Sequence, residues 1–166
     1  SAQLGLIDLF RRCMARHKLP EATRKRISSA LRSHFPAGLG QVNRALAPVL
    51  VELEPVHAVE KTVKLLEEST GQVERLHYLH HLRNTGAGWT QPSRRTFFEV
   101  FATRGSFLGG RGMPQVLKNI ERDSLATLGA EERRGLKGLI GQAAALPPLP
   151  DLAGRRLVKE WKPGDF

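Results

Sequence analysis

The sequence predicts an all-α fold from three features. Apolar residues recur every three or four positions along most of the 166 residues, as they do on one face of a helix. No segment alternates apolar and polar residues over the length of a strand. Proline and glycine clusters divide the chain into segments of about one helix each. Because a single helix pair cannot bury its apolar face alone, we expect antiparallel helix pairs stacked as a short solenoid.

Two helices are predicted before residue 36, at residues 3–18 and 21–34. Pro20 separates them, because proline cannot continue the first helix. The apolar face of the second helix carries Ile27, Ala30 and Leu31. Residues 36–40 contain Pro and Gly and are predicted to form a turn.

Two further helices are predicted at residues 41–53 and 55–68. Pro48 lies inside the first of them, where its missing N–H predicts a kink or a short initial segment. Pro55 opens the second, because a first-turn proline gives up no helical hydrogen bond. The residues expected to face inward on this helix are Val56, Val59, Val63 and Leu66.

Four more helices are predicted after residue 70. They cover residues 71–83, the segment after Thr90, residues 114–127 and residues 130–140. Thr90 is a favourable N-cap, and Pro92 suits the first turn that follows it. Gly135 and Gly138 weaken the last helix.

The stretch of residues 76–128 is expected to organise the core. It holds four of the seven Phe, one of the two Trp and the only Tyr. Phe97, Phe98 and Phe101 lie at helical spacing after Trp89. Aromatic residues at this spacing are more typical of core anchors than of a ligand site.

Two regions are predicted along the chain, a helical domain at residues 1–145 and an extended Pro-rich tail at residues 146–166. Pro147, Pro148 and Pro150 prevent helical hydrogen bonding in the tail. Trp161 gives the tail an apolar surface, so we expect it to dock on the helical body or on a following domain.

The net charge of +10 is concentrated near the start, where the first fifty residues carry nine basic and two acidic side chains. A basic end attracts nucleic acid, anionic lipid or an acidic protein. The candidate docking surface comprises Arg11, Arg12, Arg16, Lys18, Arg24, Lys25 and Arg26. Two solvated helix faces are the simpler interpretation of these residues. No aromatic residues are interleaved with them, so nucleic-acid binding is expected to be weak and salt-sensitive.

Two other polar groups are weaker candidates. The loop before the helix at residues 114–127 holds a candidate anion site made of Arg104, Gly109, Gly110 and Arg111. A tight turn between helices is the more ordinary interpretation of those glycines. His77 and His81 are one helical turn apart, but no third ligand is evident nearby, so no metal site is predicted.

The composition limits the possible chemistry. A single cysteine, Cys13, excludes an internal disulfide and a cysteine-based metal cage. No run of 18 apolar residues is present, so no membrane span is expected. No nucleophile motif or carboxylate pair beside a histidine is distinctive. We therefore expect neither catalysis nor a cofactor.

Three runs of this chain resemble consecutive helices of HEAT-type repeats, namely VNRALAPVLVEL, HAVEKTVKLLEES and QVERLHYLHHLRN. Very large bacterial multidomain proteins contain a segment similar to the next runs, GWTQPSRRTFFEVF and FLGGRGMPQVLKNIERDSLATL. In those proteins a sugar-dehydrogenase-like propeller precedes the HEAT-like repeats and a c-type cytochrome domain follows them. The ending of this chain, GRRLVKEWKPGDF, resembles the linker that leads to that cytochrome domain. The resemblance covers residues 41–166. The family usually has the sequence Trp-Thr-Pro in this segment, whereas Gln91 separates Thr90 from Pro92 in this chain.

The resemblance implies a HEAT-like solenoid in a periplasmic or otherwise extracytoplasmic protein, with a cytochrome domain as a possible neighbour. The expected function is a non-catalytic helical scaffold that positions neighbouring domains or binds a protein partner. A basic helical nucleic-acid-binding module is the first alternative. An enzyme without a recognisable motif is the second.

Overall fold

The computed structural model describes residues 2–16 and 19–142, and in those ranges all regular secondary structure is helical, without strands. A short 3-10 helix occupies Thr103–Ser106. The α-helices are α1 (Ala2–Arg16), α2 (Glu21–Arg32), α3 (Gly40–Leu53), α4 (Pro55–Glu68), α5 (Gln72–Leu82), α6 (Gln91–Ala102), α7 (Met113–Ala126), α8 (Ala130–Gly135) and α9 (Lys137–Gln142). The all-α prediction is therefore confirmed for the described residues.

The helices pack mainly against neighbours one or two positions away in the sequence. The odd-numbered helices follow one another in space, with α1 on α3, α3 on α5 and α5 on α7. Helix α4 packs against α3, α5 and α6, so it lies at the centre of the body. Helix α2 packs on α3, and α9 packs on α6. Most contacts between helices therefore join segments that are close in the sequence.

The aromatic residues of α6 form the centre of the core, as predicted. Phe97 and Phe101 are completely buried, and their rings stack with centroids 6.4 Å apart. Trp89 meets Phe97 edge-on at 5.5 Å, and its indole N–H donates a hydrogen bond of 2.7 Å to the Thr85 carbonyl oxygen. Tyr78 of α5 is also buried. Phe97, Phe101 and Tyr78 of the residue 76–128 stretch are therefore core residues, as expected.

Local signals position the start of α6. The Thr90 hydroxyl accepts a hydrogen bond from the Ser93 backbone N–H, and the Ser93 hydroxyl accepts one from the Thr90 N–H. This reciprocal capping box satisfies two donors that a helix start otherwise leaves free. The predicted Thr90 cap is thus confirmed, and Ser93 is its partner.

The buried side chain of Arg94 connects α6 to the end of α7 and to α8. Arg94 is only 3% exposed, and its guanidinium lies 4.1 Å from the centroid of the Trp89 ring. It donates a 3.0 Å hydrogen bond to the Thr127 hydroxyl. Its Nε lies 3.3 Å from a Glu132 carboxylate oxygen, an ion pair not aligned as a hydrogen bond. A buried guanidinium needs such partners, because an isolated buried charge is costly.

Three sequence predictions need correction. The helix predicted at residues 130–140 is divided into α8 and α9 by Leu136, which is buried next to the weak helix former Gly135. Val56 is 67% exposed, because it lies in the first turn of α4, before the buried stripe that begins at Ala58. Helix α3 lacks the short initial segment that was the alternative to a kink at Pro48, because it is continuous from Gly40 to Leu53.

Candidate interaction surface

The basic residues of α1 are largely engaged with one carboxylate. Asp8 accepts hydrogen bonds from Arg11 at 3.1 Å and from Arg12 at 2.8 Å. The i,i+3 and i,i+4 spacings on a helix bring these side chains together, which the sequence alone could have indicated. Arg16 is exposed at the end of α1. Lys18, also predicted for the docking surface, lies outside the described residues.

The basic residues of α2 differ from one another in their surroundings. Arg24 turns towards the end of α3 and donates a 3.3 Å hydrogen bond to the Glu52 carbonyl oxygen. Lys25 is mostly exposed, with its ammonium 3.9 Å from Glu21. Arg26 is exposed as well. Of the predicted docking residues, Lys25 and Arg26 line one concave surface and Arg11 lines another.

The first concave surface is a groove of about 750 Å³ between α1 and α2. Phe10, Ile27 and Leu31 provide apolar side chains along it. Lys25 and Arg26 also line it and carry its positive charge. The groove thus combines an apolar lining with exposed cations. We call it the α1/α2 groove.

The second concave surface is a cleft of about 210 Å³ between α1 and α3. Arg11 and Arg44 bring two guanidinium groups to it, from α1 and α3 respectively. The remaining lining residues are Ile7, Asp8, Gln41 and Ala45. Arg44 was not predicted as a site residue. Its position as the one basic residue in the apolar run of α3 was the available signal. We call this surface the α1/α3 cleft.

His77 of α5 lies beside Arg44, which lines the α1/α3 cleft, and His80 and His81 follow on the same helix. The rings of His77 and His81 meet edge-on at 4.7 Å, and His80 lies 5.1 Å from His81. His77 Nε2 is 2.8 Å from the Arg44 carbonyl oxygen. Because a carbonyl only accepts, this contact places a proton on Nε2. In the described ranges, no three His, Cys, Asp or Glu side chains are arranged to hold a metal ion.

Burial lowers the pKa of all three imidazoles. Desolvation by burial is the main cause that lowers the pKa of His81 to about 3, and His77, His80, Arg11 and Arg83 contribute less, in that order. Desolvation is also the main cause of the lowered pKa of His77, although the hydrogen bond to the Arg44 carbonyl oxygen opposes it. Protonation of His77 and His81 is therefore disfavoured in the folded chain.

We predict that the folded chain loses stability as the pH falls below about 6.5, the ordinary histidine pKa. In that range the unfolded chain binds a proton at His81, whereas the folded chain does not until the pH approaches 3. Urea unfolding at pH values from about 7.5 to about 5 measures this loss. His81→Gln removes the group, so its free energy of unfolding should depend less steeply on pH. An unchanged slope in that variant would show that His81 titrates normally.

The candidate anion loop has a different role for Arg104. This side chain is 2% exposed, lies 4.4 Å from the centroid of the Phe101 ring and is 3.5 Å from the Glu121 carboxylate. Its charge is therefore already balanced inside the fold. Arg111 and Gly110 are exposed on the loop, whereas Gly109 lies against the Met113 side chain. A Cβ at position 109 would meet the Met113 side chain, whereas the positive φ expected of glycines in such a tight turn is found only at Gly88 among the described residues.

The comparisons with known proteins do not identify a family. In the part of the chain that the structure describes, no helix is both long and apolar enough to cross a membrane. The α1/α2 groove and the α1/α3 cleft are concave surfaces lined by predicted docking residues. No family model, curated protein or solved structure matches the chain.

Proposed function

We propose that this chain is a non-catalytic helical interaction module that binds an acidic, apolar segment of a protein partner in the α1/α2 groove. The observation that carries the proposal is the combination of apolar and cationic side chains in that groove. Phe10, Ile27 and Leu31 offer apolar surface, while Lys25 and Arg26 carry positive charge beside it. An amphipathic helix uses its apolar face for such a groove and its charged flank for specificity.

Charge complementarity selects an acidic partner rather than a basic one. Lys25 is 75% exposed, and its single neighbouring carboxylate among the described residues, Glu21, is 3.9 Å away. The ammonium group therefore remains accessible to a carboxylate on a partner. A nucleic acid would also be attracted by these charges, but it would leave the apolar side chains of the groove uncovered. The groove thus supports a protein partner better than the nucleic-acid alternative.

The helix packing supports a scaffold with a short HEAT-like solenoid arrangement. From α3 to α6, the contacts of α3 with α4 and α5, and of α6 with α4 and α5, are those expected of two stacked helix pairs. Such arrays present extended surfaces to other domains. We propose an adjacent domain or a separate protein as the partner. The sequence resemblance suggests that this partner is a c-type cytochrome domain of a longer, extracytoplasmic chain.

We predict that a synthetic amphipathic helix with glutamate flanks binds the chain about tenfold more tightly than the same helix with lysine flanks. Fluorescence anisotropy at low salt measures both affinities. Lys25→Glu/Arg26→Glu should reduce binding of the glutamate peptide about tenfold, because the flanking attraction becomes repulsion. Arg111→Glu/Lys118→Glu is the matched control. It changes the net charge equally at exposed positions away from the groove, so it should have little effect.

Two results would contradict this proposal. Equal loss of binding in the control variant would mean that net charge, rather than the groove, attracts the peptide. Tighter binding of a short DNA duplex than of the glutamate peptide at physiological salt would favour the nucleic-acid module instead.

A further inference from the structure

We propose that the α1/α3 cleft is a separate binding site for one small oxyanion, a phosphate or carboxylate group held between Arg11 and Arg44. The two guanidinium groups approach the cleft from different helices. Guanidinium groups present planar pairs of N–H donors that match the oxygens of such anions. The site would recognise a single anionic group, whereas the α1/α2 groove would recognise an extended segment.

The positive charge in the cleft is not balanced within the described chain. Arg44 forms no ion pair with any side chain that the structure describes. Asp8 is the acidic residue that lines the cleft, but its carboxylate is shared between Arg11 and Arg12. The lining of the cleft therefore carries two guanidinium groups, of Arg11 and Arg44, and one carboxylate, of Asp8. An incoming anion would supply the missing negative charge.

The size and polarity of the cleft suit a small anion. Its 210 Å³ correspond to about seven waters of liquid volume, which exceeds the space that one phosphate group needs. Gln41, in the first turn of α3, adds a side-chain amide donor to the lining. The partial positive charge of that helix start favours an anion in the same place. Ile7 and Ala45 provide an apolar wall that limits access of water.

The neighbouring histidines support a positive potential at this position. Arg44 and Arg11 both contribute to the lowered pKa of His77, after the main effect of burial. Their charges therefore extend to α5, although water and nearby acids screen them. Glu74 is the other acid at this end of α3, with its carboxylate beside Gly40. Competition from Asp8 and Glu74 predicts a modest affinity, about millimolar for inorganic phosphate.

Isothermal titration calorimetry and backbone NMR with inorganic phosphate test the site. The same measurements with acetate show whether the site prefers phosphate or carboxylate. We expect chemical-shift changes confined to residues 7–11 and 41–45. Arg44→Gln and Arg11→Gln should each weaken binding about tenfold, because each removes charged hydrogen-bond donors. Arg44→Lys, which keeps the charge but loses the planar donors, should be intermediate. Arg26→Gln is the control and should bind phosphate normally.

The outcome is distinguishable from that of the groove experiment. Lys25→Glu/Arg26→Glu should keep its phosphate-dependent shifts at residues 41–45, even though it loses the peptide. Absence of binding up to about 50 mM phosphate would overturn the site. Equal weakening by Arg44→Gln and Arg26→Gln would overturn it as well, since that result indicates diffuse attraction. Circular dichroism of each variant verifies that the helical content is unchanged.

Discussion

Replacing Phe97 with alanine should lower the free energy of unfolding by about 3–5 kcal/mol. The ring is completely buried and contacts Trp89 edge-on and Phe101 by stacking. The truncation removes apolar contacts and leaves a cavity at the centre of the helical body, where the surroundings relax only partly. Urea unfolding followed by circular dichroism measures the loss.

Val56→Ala is the matched control for this prediction, because Val56 is a large apolar residue that is 67% exposed. Its effect should stay within about 0.5 kcal/mol. Phe97→Leu should fall between the two, since leucine refills part of the cavity. A loss below about 1 kcal/mol for Phe97→Ala would mean that the α6 aromatic residues do not organise the core.

Replacing Gly88 with alanine should destabilise the chain by about 2–4 kcal/mol. Gly88 has a φ of +80°, a region that residues with a side chain rarely adopt. An added Cβ would also lie 2.2 Å from the Pro55 carbonyl oxygen, so the loop would have to move away from the start of α4. The expected cost combines backbone strain with overpacking.

Gly86 provides the control in the same loop. A Cβ added at Gly86 meets nothing within 4 Å, and its φ is not positive. Gly86→Ala should therefore be neutral or stabilising by up to about 1 kcal/mol, through the reduced freedom of the unfolded chain. Thermal unfolding of both variants decides the matter. Similar melting temperatures for the two would refute the close approach between Gly88 and Pro55.

The sequence was sufficient for the features set by local chemistry. Pro55 opens α4 and Thr90 caps α6, because each depends only on residues within one turn. The burial of Phe97 and Phe101 followed from their helical spacing. Local patterns of this kind are readable without knowing which helices meet in space.

The sequence was insufficient where a side chain depends on a distant partner. Arg94 is buried because Thr127 and Glu132 surround its guanidinium, and both follow more than thirty residues later. Arg104 was assigned to an anion site, yet Glu121 and the Phe101 ring occupy its guanidinium. A basic residue in a sequence does not reveal whether its charge is already balanced within the fold.

The candidate surfaces were only partly predictable for the same reason. Composition indicated a basic N-terminal region, and Lys25 and Arg26 do line a groove. It could not indicate that Phe10 would join them there, because that depends on α1 and α2 both packing on α3. Arg44 was missed, since its role depends on the approach of Arg11 from another helix.

A charge-swap cycle tests the central claim most directly, namely that the α1/α2 groove binds an acidic amphipathic segment. The affinities of the glutamate-flanked and lysine-flanked peptides are measured with the unmodified chain and with Lys25→Glu/Arg26→Glu. We predict that the variant reverses the preference, binding the lysine-flanked peptide about tenfold more tightly than the glutamate-flanked one. If the variant weakens both peptides equally, or leaves the preference unchanged, the groove is not the binding surface.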